Sequence, residues 1–187
     1  MEPEPSILLR NVRVFDGVKP KLSTARDVRV EGTTIASIKA TPGQREVGSA
    51  EAPKADVVIE GNGRTLMPGL IDMHTHLAFA GISQVTALTA DTSFVAIAAA
   101  VGAEQSLLRG FTSVRDLGGP VFGLKQAIDA GLARGPRIFP SGAFISQTGG
   151  HGDFRMPYEV PRGSHGHLSH PEPAHGAAQL RVPQGSN

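Results

Sequence analysis

The chain has 187 residues, of which 40% are apolar and 19% charged, and its formal net charge is +1. A charge this close to zero gives no electrostatic footprint for nucleic acid or an anionic membrane surface, and the lack of cysteine removes disulfides and thiolate ligands alike. What remains is an ordinary soluble globular composition, with length for one good core or two small ones.

The first ten residues, MEPEPSILLR, carry acid and proline where a signal peptide needs a basic segment followed by an apolar one. The most apolar stretch, residues 77–101, is broken by Ser83, Gln84, Asp91 and Ser93 and does not read as a membrane span. The expectation is a cytoplasmic protein. Residues 7–65 then read as short strands joined by turns. ILLRNVRVF is a β-rich run closed by Asp16-Gly17, and Asp27 to Val30 with Thr33 to Ile38 suggests a hairpin around Glu31-Gly32. After a polar stretch, Asp56 to Glu60 supplies another strand, ended by Gly61-Asn62-Gly63. Residues 1–67 are therefore expected to form a small β-sandwich segment that supports something else.

From residue 66 the text is LMPGLIDMHTHL: a Pro-Gly turn, then an apolar run with Asp72, His74 and His76 at alternate positions. Side chains on a strand alternate faces, so these three should project together, opposite Ile71, Met73 and Thr75. Two imidazoles so spaced either form a hydrogen-bonded core pair or share one metal ion, each through one ring nitrogen.

Beyond this strand, expected over Gly69 to Leu77, the pattern alternates. A helix runs from a cap at Ser93 to Gly110, with Phe94, Ile97, Val101 and Leu108 on one stripe. A second strand spans Phe111 to Leu117 and ends at Gly118-Gly119. Pro120 starts the next helix, with Val121, Leu124, Ile128 and Leu132 at helical spacing and Gly135-Pro136 as its stop. The third strand, Arg137 to Ser146, runs into QTGGHGD. Apolar strands alternating with amphipathic helices argue for βαβ units and a parallel sheet, an α/β fold. Asp116, at the end of the second strand, is either a functional carboxylate or a turn former; His151, after the third, is either a substrate contact or a plain loop histidine.

The stretch LMPGLIDMHTHL resembles the first barrel strand of the amidohydrolase superfamily, metal-dependent hydrolases with a (β/α)8 barrel and a small β-sandwich. GFTSVRDLGG and GPRIFPSGAFISQTGGHGD resemble a narrower group within it, the imidazolonepropionase-related hydrolases and metal-dependent dipeptidases and carboxypeptidases. The resemblance covers about residues 7–156. It implies that His74 and His76 ligate a divalent metal, usually zinc, and that Asp72 orients a histidine from behind. It further implies a small amide or dipeptide-like substrate and a metal-activated water that attacks its C–N bond. In that family the proton is carried by an aspartate after the eighth strand, and the other ligands come from strands four, five and six.

A complete barrel takes about 250 residues, and the chain offers only Pro68 to Asn187. Residues 68–156 are accordingly expected to be the N-terminal part of a barrel, about three βα units, without the family's proton-carrying aspartate. The open strand edge invites self-association. Residues 157–187 are rich in Pro, Gly and His, without sustained periodicity, and are expected to be disordered. Their His165, His167, His170 and His175 have no fixed geometry as metal ligands. Two functions from different classes stand at this point: a truncated metal-dependent hydrolase, or a non-catalytic half-barrel from a frameshifted or misread gene that serves at most as an interaction partner.

Overall fold

A computed structural model of the chain describes residues 5–42 and 55–142. It divides into two units, Met1–Pro68 and Gly69–Asn187. His151, the end of the expected third strand and the 157–187 tail lie outside the described residues.

In the first unit, β1 (Ser6–Val14), β2 (Ala25–Glu31), β3 (Thr34–Ala40) and β4 (Val57–Glu60) make one mixed sheet in the order β3-β2-β1-β4; the short β5 (Thr65–Leu66) also pairs with β1. The β2–β3 hairpin is antiparallel, with Glu31 closing β2 and Gly32 turning the chain at φ +56°. β1 runs parallel to β4, and their start is pinned by Asp56, whose Oδ2 accepts from the backbone N–H and the hydroxyl of Ser6, both at 2.7 Å. Those two bonds hold the Asp56 carboxyl below the ordinary carboxylate value. Leu8, Val12 and Val28 are the buried apolar residues of this sheet.

The second unit is a run of βαβ crossovers: β6 (Leu70–Thr75), α1 (Gln84–Thr89), α2 (Thr92–Leu108), β7 (Phe111–Asp116), α3 (Phe122–Asp129) and β8 (Arg137–Pro140). Its three strands among the described residues are parallel, in the order β6-β7-β8. Leu77, Ala78, Ala99, Ala103, Val114, Val121, Leu124 and Ile138 form the core between helices and sheet. Together the units are mixed α/β, as the alternating pattern requires.

The helices depart from the sequence reading in several ways. α1 has no counterpart in it, and α3 starts at Phe122 after the N-cap Val121 rather than at Pro120. The N-cap of α2 is Asp91, whose carboxylate accepts from the Ser93 N–H at 2.8 Å, and Ser93 already lies inside the helix. The face of α2 turned to the sheet is Val95, Ala99, Gly102 and Ala103. The larger stripe of Phe94, Ile97, Val101 and Leu108 is exposed, Ile97 at 67%. Because α2 is apolar nearly all round, periodicity alone did not single out one face. Proximity to the sheet did, since small residues let the helix axis come close. Finally, α3 ends at Asp129, well before Gly135-Pro136. Gly131 adopts φ +73°, Leu132 N–H donates to the Ala127 carbonyl and Gly131 N–H to that of Ile128, the paired bonds of a Schellman stop. Leu132 therefore lies beyond the helix, 84% exposed. The end of α2 does follow the expectation, with Gly110 at φ +96°.

Candidate metal centre

The residues singled out in LMPGLIDMHTHL lie on β6 and the turn that follows it, at the C-terminal edge of the parallel sheet. Strict alternation does not carry through the strand. Asp72 pairs with Val114 and Thr75 with Asp116, so Met73 and His74 together oppose Arg115 alone, a bulge. The bulge is held from two sides. The Asp72 carboxylate accepts the His74 backbone N–H at 3.0 Å, and Arg115 Nε donates to the Met73 carbonyl at 2.9 Å. Asp72 therefore acts on His74 through its backbone rather than its ring.

The bulge nonetheless leaves the two imidazoles neighbours, their centres 5.4 Å apart and their planes at 81°. His74 is exposed and His76 half-buried. The His76 Nδ1 lies 3.1 Å from the Gly118 carbonyl oxygen, which can only accept, so Nδ1 donates, and in the neutral ring the lone pair is on Nε2. That is the arrangement in which a ligating histidine is usually held.

Asp116, at the end of β7, is fully buried and serves the turn former's role and more. Its Oδ2 accepts the Leu77 N–H at 2.7 Å and its Oδ1 the Gly118 N–H at 3.1 Å. Burial lifts its carboxyl above the ordinary value, against the pull of those two amides and of nearby His76. Its backbone carbonyl accepts the Ser141 N–H beyond β8 at 2.8 Å, so one residue ties the ends of β6, β7 and β8. The glycines that follow let the turn lie flat. Gly119 sits at φ +129°, and a Cβ there would meet the Ala78 Cβ at 3.2 Å and the Phe79 ring at 3.3 Å. Gly69, at the strand entrance, faces the Thr112 side chain with no room for a Cβ at all. The bulge and the Gly118 carbonyl went unseen in the sequence; the Asp116-to-Gly119 turn chemistry hinted only at the Asp116 bonds.

Do these residues fit a divalent cation? Zinc lies about 2.1 Å from an imidazole nitrogen, hence about 3.2 Å from the ring centre, and a tetrahedral angle between two such rings sets their centres about 5 Å apart. The observed separation of 5.4 Å is close to that spacing. Among the described residues no group of three or more His, Cys, Asp or Glu is placed to hold an ion. His74 and His76 would offer such a cation two donors.

Residues 65–179 match the amidohydrolase family. The chain belongs to that family. It is 37% identical over 127 residues to the ochratoxinase of Aspergillus niger, a match covering 64% of this chain and 26% of that one. To the imidazolonepropionase of Ectopseudomonas mendocina (strain ymp) it is 45% identical over 74 residues, 40% of this chain and 17% of that one. Among solved structures it resembles a prolidase complexed with N-methylphosphonate-L-proline, with a TM-score of 0.70, 36% identity, and coverage of 85% of this chain and 37% of that one. It also resembles a Xaa-Pro dipeptidase with methionine in its active site, with a TM-score of 0.66, 26% identity, and coverage of 83% and 39%. The chain thus spans about a quarter of the length of the ochratoxinase. Among the described residues no helix is long and apolar enough to cross a membrane.

Proposed function

We propose that the chain contributes the first metal-binding strand of a hydrolase that cleaves C–N bonds in small amide or dipeptide-like substrates, within a (β/α)8 barrel of which β6, β7 and β8 are the first three strands. The sheet of the first unit belongs, on this reading, to the small β-sandwich of the family. The observation that carries the proposal is the His74–His76 pair, two imidazoles at cation-sharing distance on the C-terminal edge of a parallel sheet, the edge where barrel enzymes build their sites.

His74 and His76 would hold a divalent cation, zinc on the family's habit. Such a cation polarises a carbonyl and activates water near neutral pH. The protein's own residues prepare the donors. The Gly118 carbonyl keeps the proton on His76 Nδ1, and Asp72 fixes the His74 backbone through the bulge. Leu77 and Ala78, both buried, anchor the chain directly behind His76. The dipeptidase and prolidase likenesses favour a dipeptide or N-acyl amino acid as substrate. His151, further along the sequence, would contact that substrate on the same reading.

A non-catalytic interaction partner is the second reading, since among the described residues no group of three or more possible ligands comes together. Metal analysis of the purified chain beside a His74→Ala/His76→Ala variant tests the centre common to the first reading. Wild type is expected to retain zinc after desalting and the variant to lose it. Equal zinc in both would remove the basis of the proposal.

A further inference from the structure

We infer that Asp116 is a positioning residue for His76, acting through the Gly118 carbonyl. The inference rests on the metal-centre reading for its purpose, but its geometry stands alone. The Asp116 carboxylate grips two amides: that of Leu77, the residue after His76, and that of Gly118, whose carbonyl meets the His76 ring. One oxygen thus fixes where the His76 backbone leaves the strand, and the other fixes the peptide segment that presents the ring's acceptor. The clamp sets both ends of the imidazole's geometry, its Cα and its Nδ1.

The surroundings leave this arrangement little slack. The Asp116 backbone is paired with Thr75 on one side, and its carbonyl with Ser141 on the other. Leu117 N–H donates to the Thr75 carbonyl at 3.0 Å. Gly119, at a backbone angle suited to glycine, brings the turn flush against Ala78 and Phe79. A simple turn former would need one of these amides; Asp116 takes one from each of two strands' ends. The need for two acceptors on a short, buried stem explains an aspartate rather than asparagine, which offers one acceptor oxygen and would set its NH2 against the second amide.

The test is nitrogen-15 NMR of the histidine rings in the metal-free chain, wild type beside Asp116→Asn, with zinc affinity measured by chelator competition. In wild type, His76 is expected as the single Nδ1–H form. In Asp116→Asn, with urea midpoint and amide spectrum confirming a folded protein, that preference should be lost and zinc affinity should fall about 10- to 100-fold, the usual effect of removing a ligand's orienting partner. A folded Asp116→Asn with an unchanged His76 tautomer would overturn the inference. So would a wild-type His76 in the Nε2–H form, which needs no variant and decides the matter even if Asp116→Asn fails to fold. Should wild type and His74→Ala/His76→Ala bind zinc alike, the metal reading falls, and the tautomer comparison still settles the role of Asp116.

Discussion

Leu77 and Leu132 pose the same chemical question with opposite answers. Leu77 is 1% exposed, at the heart of the second unit's core and directly after His76; Leu132 is 84% exposed beyond the end of α3. Truncating either to alanine removes three carbons. At Leu77 these carbons leave a packed interior, losing about 0.8 kcal/mol each in transfer, about 2.4 kcal/mol together. The void left among Val114, Ile138 and Ala99 adds a further term, since a sheet flanked by two helices collapses only partly, and about 3–5 kcal/mol in all is expected. For a domain of ordinary stability, about 5–15 kcal/mol, that is a large share. The Leu77 N–H to Asp116 bond is backbone and survives, so the effect isolates packing. Leu132→Ala should change stability by no more than about 0.5 kcal/mol. Urea unfolding is the assay: with a slope of about 2 kcal/mol per molar, Leu77→Ala lowers the midpoint by about 2 M at unchanged slope while Leu132→Ala leaves it in place. Comparable shifts in the two variants would refute the assignment of core and surface on this part of the chain, and with it the early end of α3.

Asp91 provides a pH signature. Its bonds to Ser93 hold the carboxyl below 3.8, so its capping contribution is present above that value and lost as pH falls through the folded-state value below it. Acid titration of helicity should therefore fray α2 in wild type and show a flatter acid limb in Asp91→Asn, which keeps a neutral acceptor; identical limbs would show that the cap is not what titrates. Gly135→Ala should destabilise by about 1–3 kcal/mol, because its Cβ would come 2.5 Å from the Ile128 Cδ1 and 3.0 Å from the Ala103 Cβ; an unshifted melting midpoint would mean that α2 and α3 are less closely packed there. Zinc-loaded chain should turn over N-acyl amino acids and dipeptides poorly. On the proposed reading the described residues bring two imidazoles and no third donor to the cation, and general acid–base help, whose loss would slow turnover, is worth about 10²- to 10⁴-fold. Robust hydrolysis that disappears in His74→Ala would overturn that expectation.

Much of the chain's local structure could be read from residue order alone. The β2–β3 hairpin, the parallel β6-β7-β8 order and the Gly110 stop follow from alternation, helical spacing and glycine placement, which are local properties. The His74–His76 motif was visible for the same reason: it is a short local spacing at the end of one strand. What needed the tertiary structure was every choice among faces that composition leaves equivalent. α2 is apolar on most sides, and only its approach to the sheet selected Val95, Ala99, Gly102 and Ala103 over Phe94, Ile97, Val101 and Leu108. The bulge at Met73 and His74 depends on what β7 offers opposite, so no pattern in β6 could announce it. Asp116 was ambiguous for a similar reason: a buried carboxylate declares its role through the amides it meets, and Leu77 stands 39 residues away.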